Sequence, residues 1–145
     1  MNIPLVDLKA QYKLVEEKAG KAVMEVLSSA NYIMGSEVLE FEKEFAEYIG
    51  VKHAISVGNG TDALVLALMA AGVGKGDEVI TTPFTFFSTA ESISSVGAIP
   101  VFVDVEQTTG NIDIKKIEEK ITKKTKLLTP VHYAGHPVDL EAIHK

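Results

Sequence analysis

The chain has 145 residues, of which 46% are hydrophobic and 23% charged, proportions that suit a domain with a real core and exclude a disordered or collagen-like chain. With no cysteine there is no disulfide framework, no thiol nucleophile and no thiolate-held metal. All 14 basic residues are lysine, and the lack of arginine together with a formal charge of -6 argues against nucleic acid as a partner.

Residues 12–27 place Val15, Ala19, Ala22, Val23, Val26 and Leu27 at helical spacing. Asp7, Lys9 and Lys13 break the stretch where a secretory signal needs an uninterrupted apolar core, and no apolar run approaches the roughly 20 residues of a membrane helix. The expectation is a cytoplasmic protein with no membrane partner. After Gly35 a second helical run carries Val38, Leu39, Phe41, Phe45, Tyr48 and Ile49, with Ser36 expected as its cap and Gly50 as its terminator.

From there short apolar runs alternate with stretches of helical length. Residues 53–57, 78–81, 99–103 and 126–131 read as buried strands, being short, β-branched and bounded by Gly, Pro or Asp. Between them, residues 61–71, 87–96 and 113–121 have helical length and period. Such alternation predicts an α/β fold, a mainly parallel sheet with helices on both faces. Ligands of such folds bind at the carboxyl ends of the strands.

The first such segment is Gly58-Asn59-Gly60-Thr61-Asp62-Ala63-Leu64, a glycine turn leading into a helix start. Free N–H groups and the positive end of the helix dipole make it a candidate anion cup, in which Gly60 allows close approach and the amides of Thr61 and Asp62 donate. The carboxylate of Asp62 would repel a phosphate and is expected to point away. The same letters satisfy G-x-G-x-x-A, but a dinucleotide site needs an acid at the end of the next strand, and residues 78–81 run instead into Thr82-Pro83. Asp77 and Glu78 lie at the wrong end.

After the second strand come Phe84, Phe86 and Phe87, whose flat faces could stack on a heteroaromatic ring, although at least one is expected to be core packing. Asp104 closes the third strand as a turn acid. The lysines 115, 116, 120, 123, 124 and 126, interleaved with Glu118 and Glu119, read as a solvated face. His132 and His136 have an H-x-x-x-H spacing, but Gly135 and Pro137 disfavour the helix a metal site would need, leaving a loop with His132 at a strand end.

Taken together, Ile3-Pro4-Leu5-Val6-Asp7-Leu8-Lys9-Ala10-Gln11-Tyr12, Gly35-Ser36-Glu37-Val38, Gly60-Thr61-Asp62-Ala63-Leu64, Gly76-Asp77-Glu78-Val79-Ile80, Pro83-Phe84-Thr85-Phe86, Pro100-Val101-Phe102-Val103-Asp104-Val105 and Pro130-Val131-His132 resemble the DegT/DnrJ/EryC1/StrS family in order and spacing over essentially the whole chain. These are pyridoxal-phosphate sugar aminotransferases of fold type I. The resemblance implies that backbone groups of Gly60, Thr61 and Asp62 hold the cofactor phosphate and that Phe86 stacks on its pyridine ring. It also implies a homodimer, glutamate as amino donor, a nucleotide-linked keto-sugar as acceptor, and a place in cell-surface polysaccharide biosynthesis.

On this pattern residues 1–35 are an N-terminal helical segment and residues 36–145 the first part of the cofactor-binding large domain, with the C-terminal remainder absent. The Schiff-base lysine and the acid that pairs with the pyridine nitrogen are then expected beyond Lys145, so that no catalytic residue lies in this segment and the chain alone is inactive. The strand at 53–57 would be separated from the other three by strands later in the chain. Two further readings remain: a dehydratase of the same family, in which histidine replaces the lysine, and a small non-catalytic α/β binding domain.

Overall fold

In the computed structural model, residues 5–144 are described, and they divide into two compact units, one ending at Ser56 and the other beginning at Val57. The first unit is helical. Helix α1 runs Leu8–Ser29, capped by Asp7, whose Oδ1 accepts from the Ala10 N–H at 3.0 Å. Helix α2 runs Ser36–Ile49, with Gly35 rather than Ser36 as its N-cap and no side-chain cap bond. The Ser36 hydroxyl instead donates to Glu37, so the expected cap is one residue late. Gly50 ends the helix at φ +77°, as expected.

None of α1 is buried, and of α2 only Ala46 is. Apolar side chains such as Leu14, Met24, Phe41 and Tyr48 stand exposed, although Phe41 and Phe45 stack at 5.5 Å.

The strand expected at 53–57 does not form. Its backbone joins no ladder, Ile55 is 81% exposed, and the Ser56 N–H is satisfied by a side chain, Glu42 Oε1 at 2.6 Å. A strand is a property of a pair, and an apolar β-branched run without a pairing neighbour stays extended chain.

In the second unit, helix α3 spans Gly60–Ala70, β1 Glu78–Thr81, α4 Ser88–Ser95, β2 Ile99–Phe102 and β3 Thr125–Leu128. A short helix α5, Leu140–Ile143, comes last. The three strands form a wholly parallel sheet in the order β2-β1-β3, with an irregularity in the β1–β3 register after Glu78. Successive residues of β1 face opposite sides, and each side has its own core. Val79 packs with Leu68, Val73, Ile93 and Ala98 under α3 and α4. Ile80 packs with Val103, Ile112, Ile117 and Val138 on the other face. The expected α/β architecture, a parallel sheet covered on both faces, is therefore present.

Residues 113–121 depart from the single helix expected there. They form two 3-10 turns, Ile114–Lys116 and Glu118–Lys120. Apolar spacing of i, i+3 suits a 3-10 turn as well as an α-helix, so Ile114 and Ile117 reach the core either way. The lysines around them are exposed, as expected; Lys116 pairs with Asp113 at 3.3 Å.

Candidate functional site

All three strands point their carboxyl ends the same way, so the segments following them gather at one end of the sheet. Helix α3 reaches β1 through residues 71–77, with Val73 already in the core beneath it. Since α3 must therefore run antiparallel to the strands, its first turn lies towards that same end.

At that turn Asn59 is the N-cap, its Oδ1 accepting from the Asp62 N–H at 2.9 Å while its Nδ2 donates to Asp62 Oδ2 at 3.0 Å. The expectation that both the Thr61 and Asp62 amides stand free is corrected at Asp62, whose N–H is held by Asn59. Among the described residues, the N–H groups of Gly60 and Thr61 make no hydrogen bond. The Asp62 carboxylate folds back over the turn, so close that a Cβ on Gly58 would lie 2.7 Å from its Oδ2. Gly60 has open space where a side chain would be, and its backbone does not adopt the left-handed conformation. The fold itself therefore makes no demand for glycine there, whereas an anion seated against the helix start would.

Thr81, the last residue of β1, and Thr82 after it are fully buried; the Thr81 hydroxyl donates to the Thr129 carbonyl at 2.8 Å, and the Phe84 N–H donates to Thr82 Oγ1 at 3.2 Å. Phe84 stacks on Tyr133, ring centroids 4.3 Å apart and 30° between planes, but it stays 47% exposed and Phe87 is exposed too, so the expectation that one of these aromatics is core packing is corrected. Phe86 is 78% exposed and free to present a face to a ligand.

His132 lies in a loop beyond the end of β3, where it accepts the Val138 N–H on Nδ1 at 3.0 Å and so closes its own loop. Asp104 is a turn acid, accepting the Val105 N–H on Oδ1. Asn111 is the residue that sequence reasoning passed over: buried, with its side chain bonded to Tyr133, His136 and Pro137. Its partners lie more than twenty residues onward. No local pattern announces such a contact.

A parallel α/β sheet with a glycine turn, a helix start and a projecting aromatic at its carboxyl end defines a ligand-binding α/β domain that can hold an anion and a flat ring. The family model for the DegT/DnrJ/EryC1/StrS aminotransferases matches residues 13–145, and the chain belongs to that family.

Among curated relatives, the pleiotropic regulatory protein of Geobacillus stearothermophilus is 49% identical, over 99% of this chain and 38% of its own length. The UDP-2-acetamido-2-deoxy-3-oxo-D-glucuronate aminotransferase of Pseudomonas aeruginosa is 44% identical, over 98% and 40%. The solved structure of DesV from S. venezuelae, in complex with a ketimine intermediate, superposes with a TM-score of 0.95 at 40% identity, covering 98% of this chain and 38% of that one. NtdA of Bacillus subtilis, solved with bound cofactor PMP, gives 0.85 at 35%, covering 88% and 29%. The chain thus spans about two fifths of the curated relatives named here. The fold is that of the fold type I, pyridoxal-phosphate-dependent aminotransferases.

Proposed function

We propose that these residues are part of a pyridoxal-phosphate-dependent aminotransferase that transfers an amino group, with glutamate as donor, to a nucleotide-linked keto-sugar. The observation that carries the reading is the first turn of α3, where the N–H groups of Gly60 and Thr61 have no hydrogen-bond partner among the described residues and Gly60 leaves open space where a side chain would be. Those donors, with the dipole of α3 behind them, suit a phosphate dianion. Asp62 contributes less than its position implies: its amide is engaged with Asn59, and its role is to brace the turn. Phe86 offers an exposed ring for a pyridine face.

When bound, pyridoxal phosphate supplies an electron sink for the carbon that gains or loses the amine. The chain's own residues anchor it at the phosphate and at the ring, which fixes the plane in which chemistry occurs. The lysine that completes such a site is expected beyond Lys145. We read the whole protein as cytoplasmic and homodimeric, acting in cell-surface polysaccharide biosynthesis. Among the described residues no helix is long and apolar enough to cross a membrane.

The test is made on the full-length protein carrying these residues. It should retain pyridoxal phosphate through dialysis, seen by its visible absorbance, and with glutamate should convert a UDP- or dTDP-linked keto-sugar to the amino sugar, read by mass. Loss of water from the sugar without amination would favour the dehydratase reading. No cofactor retained by the wild type would end the proposal.

A further inference from the structure

Asn111 is 5% exposed and spends its whole carboxamide on one loop. Its Nδ2 donates to the carbonyls of His136 at 3.1 Å and Pro137 at 3.2 Å, and its Oδ1 accepts the Tyr133 N–H at 3.0 Å. Both donors are used, and so is the oxygen. The loop they hold has two successive residues in the left-handed region, Ala134 at φ +50° and Gly135 at φ +82°. A non-glycine residue adopts that conformation at a cost, so the shape must be imposed by contacts from outside. Asn111 supplies three of them, and the His132–Val138 bond a fourth.

The loop so shaped carries Tyr133, whose ring lies against Phe84. Gly110, beside Asn111, is fitted to both rings: at φ +72°, a Cβ there would come within 2.9 Å of Tyr133 Cδ1 and 3.5 Å of Phe84 Cε1. Phe84 in turn belongs to the segment that carries Phe86. That segment is tied at Phe84 N–H to Thr82 and at the Thr85 hydroxyl to that of Thr89, 2.9 Å apart. The Phe86 carbonyl accepts the Thr89 N–H at 3.1 Å, and on its other side the segment is held through the Phe84–Tyr133 stack.

We propose that Asn111 is a positioning residue for the cofactor ring: by holding residues 133–137 it seats Tyr133 against Phe84, and that stack sets where Phe86 stands. The inference rests on Phe86 being the ring-stacking residue of the proposed function. Asn111 touches no reacting atom and acts through two aromatic rings.

The experiment compares full-length wild type with Asn111→Ala, Tyr133→Ala, Tyr133→Phe and the double alanine variant. Pyridoxal phosphate is the probe, read by its dissociation constant and by the circular dichroism of its visible band. Each single alanine variant should weaken binding about tenfold and change the dichroic band, since an aligned aromatic pair is lost. Tyr133→Phe should match wild type, because the stack uses the ring and not the hydroxyl. The double variant should be no weaker than either single one, as expected for residues acting in series.

Amide hydrogen exchange at residues 84–87 of the cofactor-free protein supplies a second readout, and should quicken in Asn111→Ala but not in Tyr133→Phe. A lower melting temperature with wild-type binding, dichroism and exchange would reduce Asn111 to a structural role and overturn the proposal. Penalties that multiply in the double variant would do the same. Should Asn111→Ala not fold, Tyr133→Ala alone decides: wild-type binding and exchange in that variant sink the idea. If the wild type binds no pyridoxal phosphate, the functional reading is what fails, and the exchange data still settle whether Asn111 controls the Phe86 segment.

Discussion

Gly60 and Gly110 are glycine for opposite reasons. Gly110 has a left-handed backbone and two rings against it, so Gly110→Ala combines conformational strain with a clash. It should cost about 2 kcal/mol or more of folding stability in a denaturant titration. Gly60 has neither constraint, so Gly60→Ala at the first residue of α3 should leave stability unchanged or raise it by up to about 1 kcal/mol. The same change should weaken pyridoxal-phosphate binding by the full-length protein, because the methyl group takes up open space at the helix start that the proposed phosphate would use. If Gly60→Ala binds as wild type does, the phosphate sits elsewhere.

The contrast also marks what could be read from the residues. Gly60 was legible because strand-like run, glycine turn and helix follow one another directly. The cap by Asn59 was not, since Gly-Asn-Gly reads equally as a loose loop and only the fold shows which amide Asn59 takes. The bond of His132 to Val138 was hidden for a related reason: it forms only once Ala134 and Gly135 turn the chain back.

At the scale of elements, the two faces of the sheet have separate cores and should fail separately. Ile93 lies in the core under α3 and α4 and Ile80 in the core beneath the 3-10 turns, both fully buried. Ile93→Ala and Ile80→Ala should each cost about 2–5 kcal/mol, and a small sum of milder changes, Ile93→Val with Ile80→Val, should be additive within about 0.5 kcal/mol. Marked non-additivity in urea melts would mean that the sheet transmits strain from one face to the other.

β1, β2 and β3 were legible because each has a pairing neighbour, so a short apolar run and a strand coincide, although of the strands expected to be buried only the central β1 is. Residues 53–57 are similarly apolar but have no partner strand among the described residues, an outcome that composition could not reveal and that the family pattern, which separates this strand from the other three, did imply. The helix expected over 113–121 failed on periodicity itself, because apolar residues three apart serve either kind of helix.

For the molecule as a whole, the placement of lysine decides what these 145 residues can do alone. Among the described lysines of the second unit, Lys75 lies in the connection before β1, at the end of the sheet away from the candidate site, Lys115, Lys116, Lys120, Lys123 and Lys124 lie on or beside exposed turns, and Lys126 is exposed near the start of β3. Amine chemistry on pyridoxal phosphate requires one lysine held beside the aldehyde carbon. Borohydride reduction of the 145-residue chain with added cofactor, followed by peptide mapping, should give scattered substoichiometric labelling and no glutamate-dependent turnover. One lysine labelled stoichiometrically, with turnover, would contradict the expectation that the catalytic lysine lies beyond Lys145.

The strand order β2-β1-β3 is also a timetable for folding. β1 reaches β2 through the single helix α4, whereas reaching β3 requires closing a stretch about two and a half times as long, at an added entropic cost of roughly 0.8 kcal/mol. The β1–α4–β2 unit should therefore assemble first and β3 arrive after the barrier is crossed. In stopped-flow kinetics Ile93→Val should mainly slow refolding, while Leu128→Ala, on the late strand, should mainly hasten unfolding. Were the effects reversed, the sheet would be growing inward from its distant edge, with the longer loop closing before the shorter one.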